Sequence, residues 1–189
     1  MTEKKLSKKS LQNLQQSNQE ARKITREAIE TALLLLLEKK PLQQITISEL
    51  VVKAGVSRNA FYRNYSSKEA IFDRILSNIV RRIFRGIKAF NLTTQAYQAW
   101  LFLLTEAQKE AQVLRLIFKQ KLESNLTAVV SKRLKAYQRY KRRQHSHYAN
   151  SFWSNAIVSV LSNWVADDLT VSAEDLASIG LPLSPLTDN

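Results

Sequence analysis

Apolar residues along this chain recur three and four positions apart, the period of an α-helix that buries one face. The first clear series is Ile24, Ala28, Ala32, Leu35 and Leu36. It predicts a helix ending before Pro41, because proline lacks the N–H and clashes with the preceding turn. A second helix opens at Thr46, where Thr-Ile-Ser-Glu has the spacing of a capping box between Thr46 and Glu49. It runs to Ala54, and Gly55 follows, the residue type that ends a helix in a left-handed turn. Ser57 is then placed to cap a short third helix, Arg58 to Tyr65. Ser66-Ser67-Lys68-Glu69 offers another capping box, opening a long fourth helix with Ile71, Ile75, Ile79 and Ile83 on one face.

Beyond Phe90 the period stays helical. Thr93 or Thr94 can start a helix carrying Tyr97, Trp100, Leu101 and Leu104, and Val113, Leu114, Ile117 and Phe118 mark another. A further helix is expected from about Leu122 into the region of Lys135 to Arg143. The most apolar long segment, His147 to Asp167, carries Phe152, Trp153, Ile157, Val160, Leu161 and Trp164, and Ser172 to Asp175 can cap a last helix ending at Ile179. No internal repeat, strand-like alternation or sustained heptad is present. The pattern predicts an all-α fold: a helix-turn-helix domain over 21–67, preceded by a basic flexible arm or frayed helix over 1–20 and followed by a helical bundle over 68–189.

Composition sharpens this. Only three Gly and three Pro occur in 189 residues, and the prolines stand at 41, 182 and 185, so long helices run uninterrupted between them. There is no Cys, which removes disulfides and thiolate ligands and fits a reducing cytoplasm. The net charge is +13 and uneven: residues 1–90 hold 18 Lys and Arg against 8 Asp and Glu. That half is the one suited to phosphates. The basic, Gln-rich start has no apolar core of a secretory signal, and the apolar run Ala32–Leu37 is far short of the roughly 20 residues that span a bilayer. A cytoplasmic protein with no membrane partner is expected.

Two short helices joined through a glycine turn, the second opening on polar and basic residues, have the form of a helix-turn-helix. The second helix enters the major groove with its first turn leading. There Arg58 can bond guanine O6 and N7, and Asn59 can bond adenine N6 and N7, each pairing contributing about 1–3 kcal/mol of discrimination.

Thr46, Leu50, Ala54-Gly55-Val56-Ser57, Tyr62, Tyr65 and Lys68-Glu69 together resemble the tetracycline-repressor (TetR/AcrR) family over about residues 24–75. The resemblance implies that Tyr62 and Thr46 touch backbone phosphate and that Lys68 opens the fourth helix beside the DNA. With the recognition helix, the candidate DNA-binding residues are Thr46, Ser57, Arg58, Asn59, Ala60, Tyr62, Arg63 and Lys68. Leu50, Ala54, Val56, Phe61 and Ile71 are expected in the core, and Tyr65 as a packed aromatic. The sequence departs from the family at Asn59-Ala60, where Gly-Thr is frequent, at Asn64 for His, and at Val51 for Ala. These changes bear on the operator sequence and not on the docking mode.

The segment Asn155 to Trp164 and the closing Ser172 to Leu176 resemble the family's late helices, which pair across a two-fold axis. Small Ala156, Ser159 and Ser162 allow close helix approach, so the candidate dimer face is Phe152, Trp153, Ala156, Ser159, Val160 and Trp164. A pocket for a small apolar or aromatic effector is sought among Tyr97, Trp100, Phe102, Phe118 and Phe152, the first, second and fourth being the candidates. His145 and His147 stand two apart, share no helical face and have no acidic or thiol companion, so no metal site is expected. No phosphate loop, Cys nucleophile or Ser/His/Asp grouping points to catalysis or to a cofactor. The expected function is a DNA-binding regulator, most simply a ligand-responsive homodimeric repressor on a double-stranded operator. Two other readings compete: a regulator or co-activator whose C-terminal domain binds a protein, and a basic RNA- or membrane-surface binder with a fortuitous motif.

Overall fold

A computed structural model describes residues 8–140 and 146–179. Lys4, Lys5, Lys141 to Arg143, His145 and the tail with Pro182 and Pro185 lie outside these residues. Among the described residues there are nine α-helices, one short 3-10 turn and no strand, an all-α fold. The chain divides into two compact units, Met1–Phe72 and Asp73–Asn189.

The first unit holds α1 (Lys8–Leu37), a 3-10 turn (Leu42–Gln44), α2 (Ile47–Ala54), α3 (Arg58–Asn64) and the start of α4 (Lys68–Ile87). Helix α1 is continuous from Lys8, so of the two forms expected for the start of the chain, arm or helix, residues 8–20 take the helix. The physical reason is local: Lys, Gln, Leu and Glu are good helix formers, and no Gly or Pro interrupts them. Ile29, Leu33, Leu37, Ile45, Leu50, Phe61, Ile71 and Phe72 form a buried core. Ala54 and Val56 are only half-buried, because the chain at Gly55 turns at the surface. Since Ile71 and Phe72 belong to this core, the boundary falls inside α4 and not at its start.

The second unit holds the rest of α4 with α5 (Ala96–Gln108), α6 (Ala111–Lys119), α7 (Glu123–Tyr140), α8 (His147–Ala166) and α9 (Ala173–Ser178). Helix α7 packs on α8, α6 on α8, and α5 on α9. Ile83, Phe84, Leu104, Ile117, Val130, Ile157 and Trp164 are among the residues filling the interior. Arg82 of α4 reaches Glu106 of α5 at 3.6 Å and also pairs with Glu110, pinning α4 to the α5–α6 corner. Helix α5 starts at Ala96 and not at Thr93 or Thr94. The Thr93 N–H donates to Asn91 Oδ1 at 3.0 Å and the Asn91 N–H to Gln95 Oε1 at 2.9 Å, so a side-chain-bonded turn occupies residues 91–95 instead.

Candidate nucleic-acid interface

The helix-turn-helix is built from local bonds. The Thr46 hydroxyl accepts from the Glu49 N–H at 3.2 Å, while Glu49 Oε2 accepts from the Thr46 N–H at 2.9 Å. Both members of the capping box are therefore present, an arrangement in which the N-cap alone contributes about 1 kcal/mol. Lys40 donates to the other carboxylate oxygen of Glu49. That bond first, then those from Thr46, hold the Glu49 carboxyl well below the usual range, at about 2. At the far end of α2, Gly55 takes φ +65°, the Gly55 N–H donates to Val52 O at 3.2 Å, and the Val56 N–H donates to Val51 O at 3.0 Å. This is a Schellman closure, and it requires the left-handed residue that glycine supplies.

The turn delivers Ser57, whose hydroxyl oxygen accepts from the Ala60 N–H at 3.1 Å and starts α3. Seven residues do not make a stable helix alone, so α3 depends on this cap and on Phe61, which is fully buried. Tyr65 follows as the C-cap and is buried too, donating its hydroxyl proton to Glu30 of α1. With Phe61 and Tyr65 facing inward, Arg58, Asn59, Tyr62 and Arg63 occupy a single outward sector, and all four are exposed. Tyr62 is 58% exposed although it is aromatic. Ala60 is half-buried at the sector's edge.

Two of the expected contact residues are held by the fold itself. Lys68 donates to the carbonyls of Gln43 at 2.8 Å and Ile45 at 2.7 Å, tying α4 to the 3-10 turn, and its ammonium keeps one further proton to offer. The Thr46 hydroxyl proton is directed at Glu49 Oε2, so a phosphate must draw it away from the capping box. Sequence reasoning missed Ser48, whose hydroxyl accepts from the Arg58 guanidinium at 2.6 Å, and Glu30 beneath Tyr65. Neither partnership has a local signature, since the residues are 10 and 35 positions apart.

Residues 30–75, from the second half of α1 to the first turns of α4, match the family described as bacterial regulatory proteins, tetR family. The likeness to the tetR family is thus carried by this helix-turn-helix segment. A curated relative, the nucleoid occlusion factor SlmA of Idiomarina loihiensis, is 28% identical over 103 residues, which make up 52% of this chain and 53% of that protein. The chain thus spans about half the length of the curated relative it matches. Among solved structures, Lin0861 from Listeria innocua superposes with a TM-score of 0.72 at 19% identity, covering 83% of this chain and 87% of that one. A TetR transcriptional regulator from Streptococcus agalactiae gives 0.63 at 15% identity, covering 87% and 95%. At these identities the likeness is one of fold.

In the second unit, α8 leaves Phe152 and Ser159 exposed and Trp153, Ala156 and Val160 half-buried. Trp164 is different: it is 3% exposed, and its Nε1 donates to Val171 O at 2.8 Å. Its area is spent inside its own unit and is not available to a partner. An apolar cavity of about 30 Å³ lies among α4, α5, α6, α7 and α8, walled by residues that include Ile83, Phe84, Leu103, Leu126 and Ile157. Tyr97, Trp100 and Phe118 are not part of its wall. Trp100 is buried, Phe118 half-buried and Tyr97 exposed. No described helix is long and apolar enough to cross a membrane.

Proposed function

We propose that the chain is a sequence-specific, non-enzymatic DNA-binding transcriptional regulator, most simply a homodimeric repressor that responds to a ligand and works in the cytoplasm. The observation that carries this reading is the sorting of α3. Phe61 and Tyr65 anchor it, while Arg58, Asn59, Tyr62 and Arg63 stand outward together. That sector fits the wide groove of B-form DNA, with Arg58 and Asn59 at base edges and Ser57, Tyr62, Arg63 and Lys68 at phosphates. Thr46 joins the phosphate contacts once its hydroxyl turns outward, and Ala60 offers a methyl at the groove floor.

Two copies are needed because one such helix reads only a few base pairs, and recognition helices about 34–36 Å apart enter successive major grooves. On α8, Phe152, Ala156, Ser159 and Val160 follow at intervals of four, three and one, which places them along one side of the helix. This side supports the dimer face, with Trp153 at its edge. A small apolar or aromatic effector fits the reading through the cavity of the second unit. At about 30 Å³ the cavity is far below a ligand pocket of roughly 300 Å³ or more, so an effector binds only by parting its walls. Such a ligand acts through its different affinity for the two states.

Selection of bound duplexes from a random library by the full chain tests the reading. The expected outcome is a pair of inverted half-sites about one helical turn apart. Recovery of no preferred sequence overturns it.

A further inference from the structure

Among the described side chains, none in the first half of α1 is buried in the core. Ile29 is the first buried residue of the helix, and every described side chain from Gln12 to Ile24 is exposed, Leu14 at 56% and Ile24 at 67%. The second half packs on α2 and α3. The exposed stretch is thus a rod of about 20 Å, taking about 1.5 Å per residue, fixed to the helices that carry the recognition residues.

Its surface is sorted. Gln12, Gln15, Gln19, Arg22 and Arg26 follow at intervals of three, four, three and four, so they form one stripe along the helix. Each is a hydrogen-bond donor, none is acidic, and none is an apolar anchor. Arg26 donates its Nε to the Arg22 carbonyl at 3.2 Å, a bond that does not use the terminal nitrogens of its guanidinium. Glu20 and, beyond the exposed stretch, Glu27 lie to one side of the stripe, Glu27 is matched by Lys23 at 3.8 Å, and Glu30, the next position along the stripe, accepts from the Tyr65 hydroxyl.

We infer that this stripe is a second DNA contact, lying along the phosphate backbone of the same duplex that α3 reads. The inference rests on the proposed reading of α3. Charge decides the occupant: two arginines interleaved with three primary amides suit a row of phosphate and sugar oxygens. A protein surface needs buried aromatic or aliphatic anchors, which the stripe lacks. Contacts of this kind add affinity without adding sequence information, because phosphates are the same at every base.

The test compares the full-length wild type with two variants, Arg22→Gln/Arg26→Gln and Gln12→Glu/Gln15→Glu/Gln19→Glu. Each is titrated with a selected duplex and with an unrelated duplex across a salt series. All five positions lie on the stripe and none is in the core, and melting curves confirm that the variants fold. For the arginine variant the slope of log affinity against log salt is expected to shrink by about 2, with affinity lost equally for both duplexes and the preference between them unchanged. The glutamate variant is expected to lose at least about tenfold for both duplexes at low salt, by placing three like charges against phosphates. Either variant binding both duplexes as the wild type does, with the same slope, overturns the inference. A wild type that still prefers the selected duplex then leaves the reading of α3 standing, whereas a wild type that binds neither duplex removes both.

Discussion

The Arg58 guanidinium donates to the Ser48 hydroxyl at 2.6 Å, linking the first turn of α2 to the first residue of the recognition helix. Arginine has many rotamers, and ordering one at the moment of DNA binding carries an entropic penalty. A partner that holds the guanidinium beforehand reduces it. Ser48→Ala is therefore expected to weaken discrimination at the base Arg58 reads by about 1 kcal/mol, roughly fivefold, with the salt slope unchanged. Competition titration against duplexes altered at single positions measures this. A uniform loss across all sequences assigns Ser48 to phosphate contact instead.

Glu49 gives the fold an acid-sensitive cap. Its carboxyl is held at about 2 against an ordinary value of 4.5, chiefly by Lys40 and then by Thr46. A depressed carboxyl stabilises the fold above its unfolded value, and that contribution fades as pH falls from about 4.5 towards 2. Glu49→Gln is expected to melt at a lower temperature than wild type at pH 7. The gap is expected to narrow through that acid window, and thermal melts from pH 7 to pH 2 follow it.

Gly55 at φ +65° has no atom within 4 Å of where a β-carbon stands, so a substitution there meets backbone strain and no clash. Gly55→Ala is expected to destabilise the chain by about 1–2 kcal/mol, and Gly55→Asn by less, since Asn tolerates the left-handed region better. Urea melts of both variants test the order.

Gly86 presents the opposite case. It sits in helical backbone, and a β-carbon there overlaps the ring of Phe102 on α5. Gly86→Ala is expected to cost about 1–3 kcal/mol by overpacking, although alanine is the better helix former. Adding Phe102→Leu is expected to recover part of the loss, which a double-mutant cycle reads directly.

What the sequence disclosed follows from the range of each interaction. The caps at Thr46, Ser57 and Ser172 and the closure at Gly55 use residues within a few positions of one another, so their spacing alone announces them. Even there the fourth helix shifts by one residue: the Ala70 N–H donates to Ser67, so Ser67 and not Ser66 caps α4. Partnerships across elements, such as Arg58 with Ser48, Tyr65 with Glu30 and Gly86 beside Phe102, have no period and became visible only when the helices were packed. The same limit explains Trp164. Its large apolar area grouped it with Phe152 and Trp153 as an anchor for a partner, but a turn with Leu169 at φ +57° brings Val171 back over its indole.

The proposed regulation depends on the outward sector of α3 reading bases. Binding of the Arg58→Ala/Asn59→Ala variant to a selected duplex and to an unrelated one, at matched salt, tests that most directly. The variant is predicted to bind both duplexes with nearly equal, non-specific affinity while melting as the wild type does. Retention of the wild-type preference for the selected duplex would contradict the account.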